Sequence, residues 1–137
     1  MKNPKQNAQR WFKEASNTLQ QAKRTFQQKD YNLTCFLAEQ TTQKALKAVL
    51  YGEGERFINI HSIAELIKTV AFRHPDFSAL LDKGAKLDQY YLSTRYPDAI
   101  PEPAIPSEIF SEDQAKEALE IMIEVFGQCE NLFAGDY

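Results

Sequence analysis

Tyr31-Asn-Leu-Thr-Cys35-Phe36-Leu-Ala38-Glu39-Gln40-Thr-Thr42-Gln43-Lys44-Ala45-Leu46-Lys47-Ala-Val49-Leu50-Tyr51 decides the fold. Cys35, Ala38, Thr42, Ala45, Leu46 and Val49 recur at steps of three and four, the period of an amphipathic helix. Gly52-Glu-Gly54 supplies its stop. On a wheel of about 100° per residue, Cys35, Thr42, Leu46, Val49 and Leu50 share one stripe, and Glu39 falls between Leu46 and Leu50. That places a carboxylate on an apolar face, where it needs a cation or several hydrogen-bond donors. Gln40, Gln43 and Lys47 gather beside Phe36 along one margin of the stripe. Two readings of that margin stand: a solvated edge with Lys47 reaching out to water, or a polar strip with donors and acceptors for a ligand.

Upstream, Ala8, Trp11, Phe12, Ala15, Leu19, Ala22 and Phe26 repeat the same spacing from about Pro4 to Gln28. The break at Lys29-Asp30 is short, so the two helices should form an antiparallel hairpin. Downstream, Ser62 with Glu65 three residues on reads as a capping box for a short helix through Ile63, Leu66, Ile67 and Val70. Asp76 is placed to cap a fourth helix whose apolar set is Phe77, Leu80, Leu81, Leu87, Tyr90 and Tyr91, with Gly84 in its middle. Residues 95–110 hold four of the six prolines, so a loop is expected there, with neither helix nor central strand. Ser111 with Gln114 repeats the capping-box pattern and opens a long last helix through Ala115, Ala118, Leu119, Met122, Val125, Phe126, Cys129 and Phe133 to near Gly135. No segment alternates like a strand. The expectation is an all-α, up-and-down bundle of four to five helices, with a Pro-rich loop before the last one.

The 137 residues, 43% hydrophobic and 26% charged, fit one domain over 1–137. Net charge is -3, yet it is unevenly spread. Residues 1–51 carry nine Lys/Arg against Glu14, Asp30 and Glu39, a net +6, whereas residues 52–137 carry a net -9. A polar N-terminus followed by no long apolar run speaks against a leader or a membrane span and for a cytoplasmic location. Two cysteines far apart, Cys35 and Cys129, and two histidines, His61 and His74, argue against a metal site or a disulfide framework. No Gly-rich phosphate loop is present, so no nucleotide cofactor of the common kinds is expected.

Tyr90-Tyr91-Leu-Ser-Thr94-Arg95-Tyr96-Pro97-Asp98 sets an arginine among three tyrosines where a helix gives way to a rigid turn. The guanidinium fork could grip Glu39 or a phosphate, or tie the loop down through carbonyl groups or Asp98. His61 reads as a helix-entry residue and His74 as an exposed helix end.

Together, Trp11-x-x-x-Ala15, Asp30-Tyr31, the Cys35-to-Ala48 segment, His61-Ser62-Ile63 and Leu87-x-x-Tyr90-Tyr91-x-x-Thr94-Arg95-Tyr96-Pro97-Asp98 resemble the HEPN (higher eukaryote and prokaryote nucleotide-binding) domain family over about residues 8–133. The resemblance implies a dimerising bundle found with minimal nucleotidyltransferases in toxin–antitoxin-like pairs. Many members are metal-independent ribonucleases whose signature is an Arg followed, after four to six residues, by a His. Arg95 matches that Arg, but Ile100, Pro101 and Glu102 stand where the His should be. Lacking a group that moves protons near neutral pH, cleavage loses its main actor. The expectation is therefore a homodimer that binds a nucleotide or RNA through Glu39, Gln40, Gln43, Lys47, Arg95 and Tyr96, beside a minimal nucleotidyltransferase and without full ribonuclease activity. The alternative is a ribonuclease toxin using Arg95 with Glu102 or His61 as surrogate. Arg56-Phe-Ile-Asn-Ile-His61 has the formal Arg-to-His spacing but lies in an inter-helix connection and is read as chance.

Overall fold

The computed structural model describes residues 3–136. Helix α1 (Pro4–Gln27) and helix α2 (Tyr31–Gly52) form the expected hairpin. Asn3 opens α1, its Oδ1 accepting the Gln6 N–H at 3.2 Å with Pro4 in the first turn. The α1 stop is a Schellman-type turn in which Asp30 N–H reaches the Thr25 carbonyl at 2.9 Å while Lys29 takes φ +62°. Across it the Thr25 and Thr34 hydroxyls meet at 2.9 Å, both buried. The closed end of the hairpin is thereby pinned by a buried polar contact.

Helix α2 is the axis of the molecule, with Cys35, Ala38, Leu46, Val49 and Glu39 all fully buried. It packs on α1 along one side and on α7 (Glu112–Asp136) along another. Between α2 and α7 run α3 (Ile63–Ala71), a 3₁₀ segment (Pro75–Leu80), α4 (Leu81–Leu87), α5 (Tyr90–Ser93), a 3₁₀ turn (Pro97–Ala99) and α6 (Pro106–Ile109). Among the described residues there is no strand. No helix is long and apolar enough to cross a membrane, and no cluster of three metal-ligating side chains is present among them.

Four local expectations need correction. The fourth helix is three short pieces, and Asp76 makes no side-chain cap; His74 stands at that position. His74 itself is no exposed end, because its Nε2 lies 2.6 Å from Glu53 Oε2 in a half-buried pair. The Pro-rich segment does hold helix: Pro97 and Pro106 sit in first turns, where the missing N–H would have had no partner anyway. The Ser62 box is half formed. Ser62 Oγ takes the Glu65 N–H at 3.3 Å, whereas the Glu65 carboxylate turns to Lys68 at 3.5 Å. The Ser111–Gln114 box closes in both directions, at 3.1 and 2.9 Å.

A second cap on the start of α3 comes from Asp88, just after α4. Its carboxylate accepts from Ile63 N–H (2.5 Å), Ala64 N–H (3.2 Å) and Ser62 Oγ (3.0 Å). An anion at a helix N-terminus satisfies orphan donors and meets the positive end of the helix dipole. Gly84 completes this junction: an added Cβ would run into Ile67 Cδ1 and stand 3.1 Å from Ile63 Cγ2, so α4 approaches α3 only as glycine allows.

Candidate functional site

Helix α5 ends at Ser93, and Thr94 is anchored by its hydroxyl on the Tyr90 carbonyl at 2.7 Å. Asn32 Nδ2 holds the Thr94 carbonyl at 3.1 Å, fixing this corner to the start of α2. Arg95 therefore leaves the chain at a rigid point. Its guanidinium lies 4.3 Å from the Phe36 ring centre, 5.0 Å from Tyr96 and 5.3 Å from Tyr91. Nε and Nη2 both donate to the Tyr91 carbonyl, at 3.2 and 2.6 Å. So the grip on Glu39 is not made; Arg95 ties its own helix end, the other use of an arginine there. Two of its five N–H groups are spent on that carbonyl. No carboxylate reaches ion-pair distance of it among the described residues.

Glu39 lies behind this cage, fully buried. Its Oε1 accepts from Gln40 Nε2 at 2.8 Å, and its Oε2 accepts from Gln43 Nε2. Burial pushes its carboxyl above the usual range; the two amide donors and the more distant Arg95 charge pull it back, and Asp88 adds to the rise. The strip from Glu39 through Gln43 to Lys47 exists as a line on one face of α2, since steps of four share a face. Lys47 is not the water-seeking edge residue of the solvated reading. It is 7% exposed, its Nζ stands 6.0 Å from the Trp11 ring centre, and burial lowers its pKa while Glu39 opposes the shift.

His61 is exposed at the entry to α3, and its ring stacks on Tyr91 at 5.8 Å and 12°. Arg95 and His61 thus touch the same tyrosine. Glu102 is exposed on the Pro-rich segment and makes no hydrogen bond or ion pair with Arg95. Of the two surrogates, it is His61 that shares a ring contact with the arginine.

The acidic last helix packs on the basic half through its apolar face, Phe12 of α1 meeting Phe126 and Phe133, but two of its acids turn elsewhere. Its Glu124 and Glu117 pair with Lys83 and Lys86 of α4, at 3.0 and 3.5 Å.

The model of the HEPN domain matches residues 8–132. The chain belongs to the HEPN domain family. Two solved structures share this HEPN fold at full length. TT1696 from Thermus thermophilus is 29% identical, with a TM-score of 0.85 over 91% of this chain and 97% of that one. ST0689, described as an archaeal HEPN homologue, is 28% identical, with a TM-score of 0.76 over 97% and 99% of the two chains. Among curated proteins none is similar enough to match.

Within this HEPN domain, two contributors to the candidate site escaped sequence reading. Phe36 joins Tyr91 and Tyr96, two of the three tyrosines read beside Arg95, in the cage, and Asp88 fixes the helix that presents His61. A signal for Phe36 was available, since it shares the Gln40–Gln43 margin. For Asp88 there was none, because its partners lie about 25 residues back in the chain.

Proposed function

We propose that this HEPN chain is a binding module that takes up a phosphate-bearing ligand, a nucleotide or an RNA segment, on the face formed by Arg95, Tyr96 and the half-buried Gln40; Glu39, Gln43 and Lys47, expected from the sequence to touch the ligand, are buried and do not line that face. The observation that carries this reading is the Arg95 cage. A guanidinium held among three rings, hydrogen-bonded to a carbonyl and free of any carboxylate among the described residues keeps its charge and its remaining donors for an anion. The rings beside it suit stacking on a base.

A second copy of the chain is the partner this face favours. A groove of about 480 Å³ beside Arg95 is lined by Leu33, Phe36, Ile105 and Pro106. Leu33 and Ile105 in its lining, with Tyr96 against Arg95, are large apolar side chains left exposed, a pattern that marks interfaces. Pairing with a minimal nucleotidyltransferase in a toxin–antitoxin-like system, in the cytoplasm, rests on the family resemblance alone. Copurification of such a protein with the tagged chain checks it.

Calorimetry with a mononucleotide and a short RNA tests the binding reading. Arg95→Ala should remove the heat of binding that belongs to this face while circular dichroism stays helical; an isotherm identical to wild type removes the site. A specific observation favours one alternative, a metal-independent ribonuclease with His61 as the proton-moving group: His61 stacks on the ring that also touches Arg95. Incubation with RNA in chelator, followed by a search for 2′,3′-cyclic phosphate ends, separates the two. Cleavage that disappears in both Arg95→Ala and His61→Ala would replace the binding reading by the catalytic one.

A further inference from the structure

On the other side of the hairpin two grooves meet at one residue. The first, about 700 Å³, is lined by Arg10, Trp11, Lys13, Glu14 and Lys44; the second, about 820 Å³, by Pro4, Tyr51, Gly54 and Arg56; Asn7 lines both. Asn7 is 7% exposed, and its Oδ1 is shut away from solvent with no hydrogen-bond partner among the described residues. A buried carbonyl left in that state is costly and calls for a ligand or a water.

Trp11 and Tyr51 stand at the junction, ring centres 5.1 Å apart and inclined by 34°, so Trp11 is braced on one face by Tyr51. Lys44, hydrogen-bonded to Thr18 Oγ1 at 3.0 Å, is held in place at the floor of the first groove. Arg10 and Lys13 are exposed on α1. Three cations against Glu14 make the groove attractive to an anion, and the braced indole makes it attractive to a flat ring.

We infer that this α1–α2 groove is a second ligand site, separate from the Arg95 face, which takes a nucleoside monophosphate unit. The base lies on Trp11, its hydrogen-bonding edge reaches the Asn7 amide, and the phosphate sits among Arg10, Lys13 and Lys44. The same unit occurs free and within an RNA chain, and the groove's openness along α1 admits both.

Trp11 is the one tryptophan in the sequence, so indole emission reports this groove alone. The full chain is titrated with adenosine 5′-monophosphate under excitation restricted to tryptophan, with a triadenylate, adenosine and inorganic phosphate in parallel. Saturable quenching by the monophosphate is expected, and the triadenylate arm tells whether the chain-borne unit binds more tightly. Arg10→Ala with Lys13→Ala, both on an exposed helix face, should weaken the response by roughly tenfold, and Asn7→Ala should weaken it as well. Arg95→Ala should leave it unchanged, which separates this site from the proposed function above. The inference is overturned by an absence of saturable quenching, by an equal response to phosphate alone, by a response indifferent to Asn7→Ala, or by its loss in Arg95→Ala.

Discussion

Replacing Asp88 by alanine tests how this HEPN domain positions its candidate site. The carboxylate accepts three hydrogen bonds at the start of α3, two from backbone N–H groups and one from Ser62 Oγ. Loss of a helix N-cap costs about 0.5–2 kcal/mol, and removal of a charge facing the helix dipole adds about 0.3–1 kcal/mol. The Ile63 and Ala64 amides would be left in a half-buried junction, where a stranded donor costs about 1–3 kcal/mol unless water enters. Because Ser62 Oγ still serves the Glu65 N–H, these contributions overlap, and a total of about 2–3 kcal/mol is expected. For a chain of this size that lowers Tm by roughly 6–10 °C. Urea unfolding followed by circular dichroism measures the loss, and Asp88→Asn, which keeps one carbonyl acceptor, should show about half of it. A loss below about 0.5 kcal/mol in Asp88→Ala, or equal losses in the two variants, would refute the cross-helix cap.

Three further expectations concern other elements. Gly84→Ala should destabilise by about 1–2 kcal/mol, because the new methyl meets Ile67 and Ile63 and overpacking outweighs the gain in helix propensity; thermal melts at or above wild type would contradict the close approach. Lys29→Gly should stabilise by about 0.5–1 kcal/mol by relieving a side chain at φ +62°, and a lower melting temperature would count against strain there. Burial raises the Glu39 carboxyl pKa in the native state, so folding binds its proton more tightly than the unfolded chain does. Its contribution to stability is then fullest below the ordinary glutamate range and falls as pH rises to the native value. Glu39→Gln removes that slope, and urea midpoints of variant and wild type that run parallel from acid to neutral pH would show the reasoning to be mistaken.

The fold was legible where the chain speaks at short range. The three- and four-residue spacing of Ala8 to Phe26 and of Cys35 to Val49 predicts both long helices to within a residue or two, and Ser111–Gln114 marks the start of α7 correctly. The stretch from Pro75 to Ser93 was not legible, since an apolar period of the same kind is compatible with one helix or with three pieces. What breaks it is tertiary: Asp88 is drawn to the α3 N-terminus and Gly84 is pressed against Ile67. In the candidate site, the burial of Glu39 followed from its place on the wheel, but its partners did not. Periodicity reports which face a residue occupies and is silent on whether a donor of its own helix or one across the core answers it. Gln40 and Gln43 satisfy the carboxylate from within α2, so Arg95 is left to its aromatic cage.

The charge division along the chain acquires its meaning only from these pairings. Had the acids of α7 paired with the bases of α1 and α2, the net +6 of the first 51 residues would be spent inside the molecule. Instead Glu117 and Glu124 meet Lys86 and Lys83 of α4, and the Lys44 ammonium is hydrogen-bonded to a threonine hydroxyl. Such exposed pairs contribute little to stability, but they decide where the uncompensated charge resides. It resides on the α1–α2 hairpin, around Arg10, Lys13 and Lys44, while Arg95 is left without a carboxylate partner at the far end of α2. A chain of net charge -3 therefore carries two cationic surfaces, each beside exposed or half-buried aromatic rings, and its overall acidity is no obstacle to a phosphate-bearing ligand.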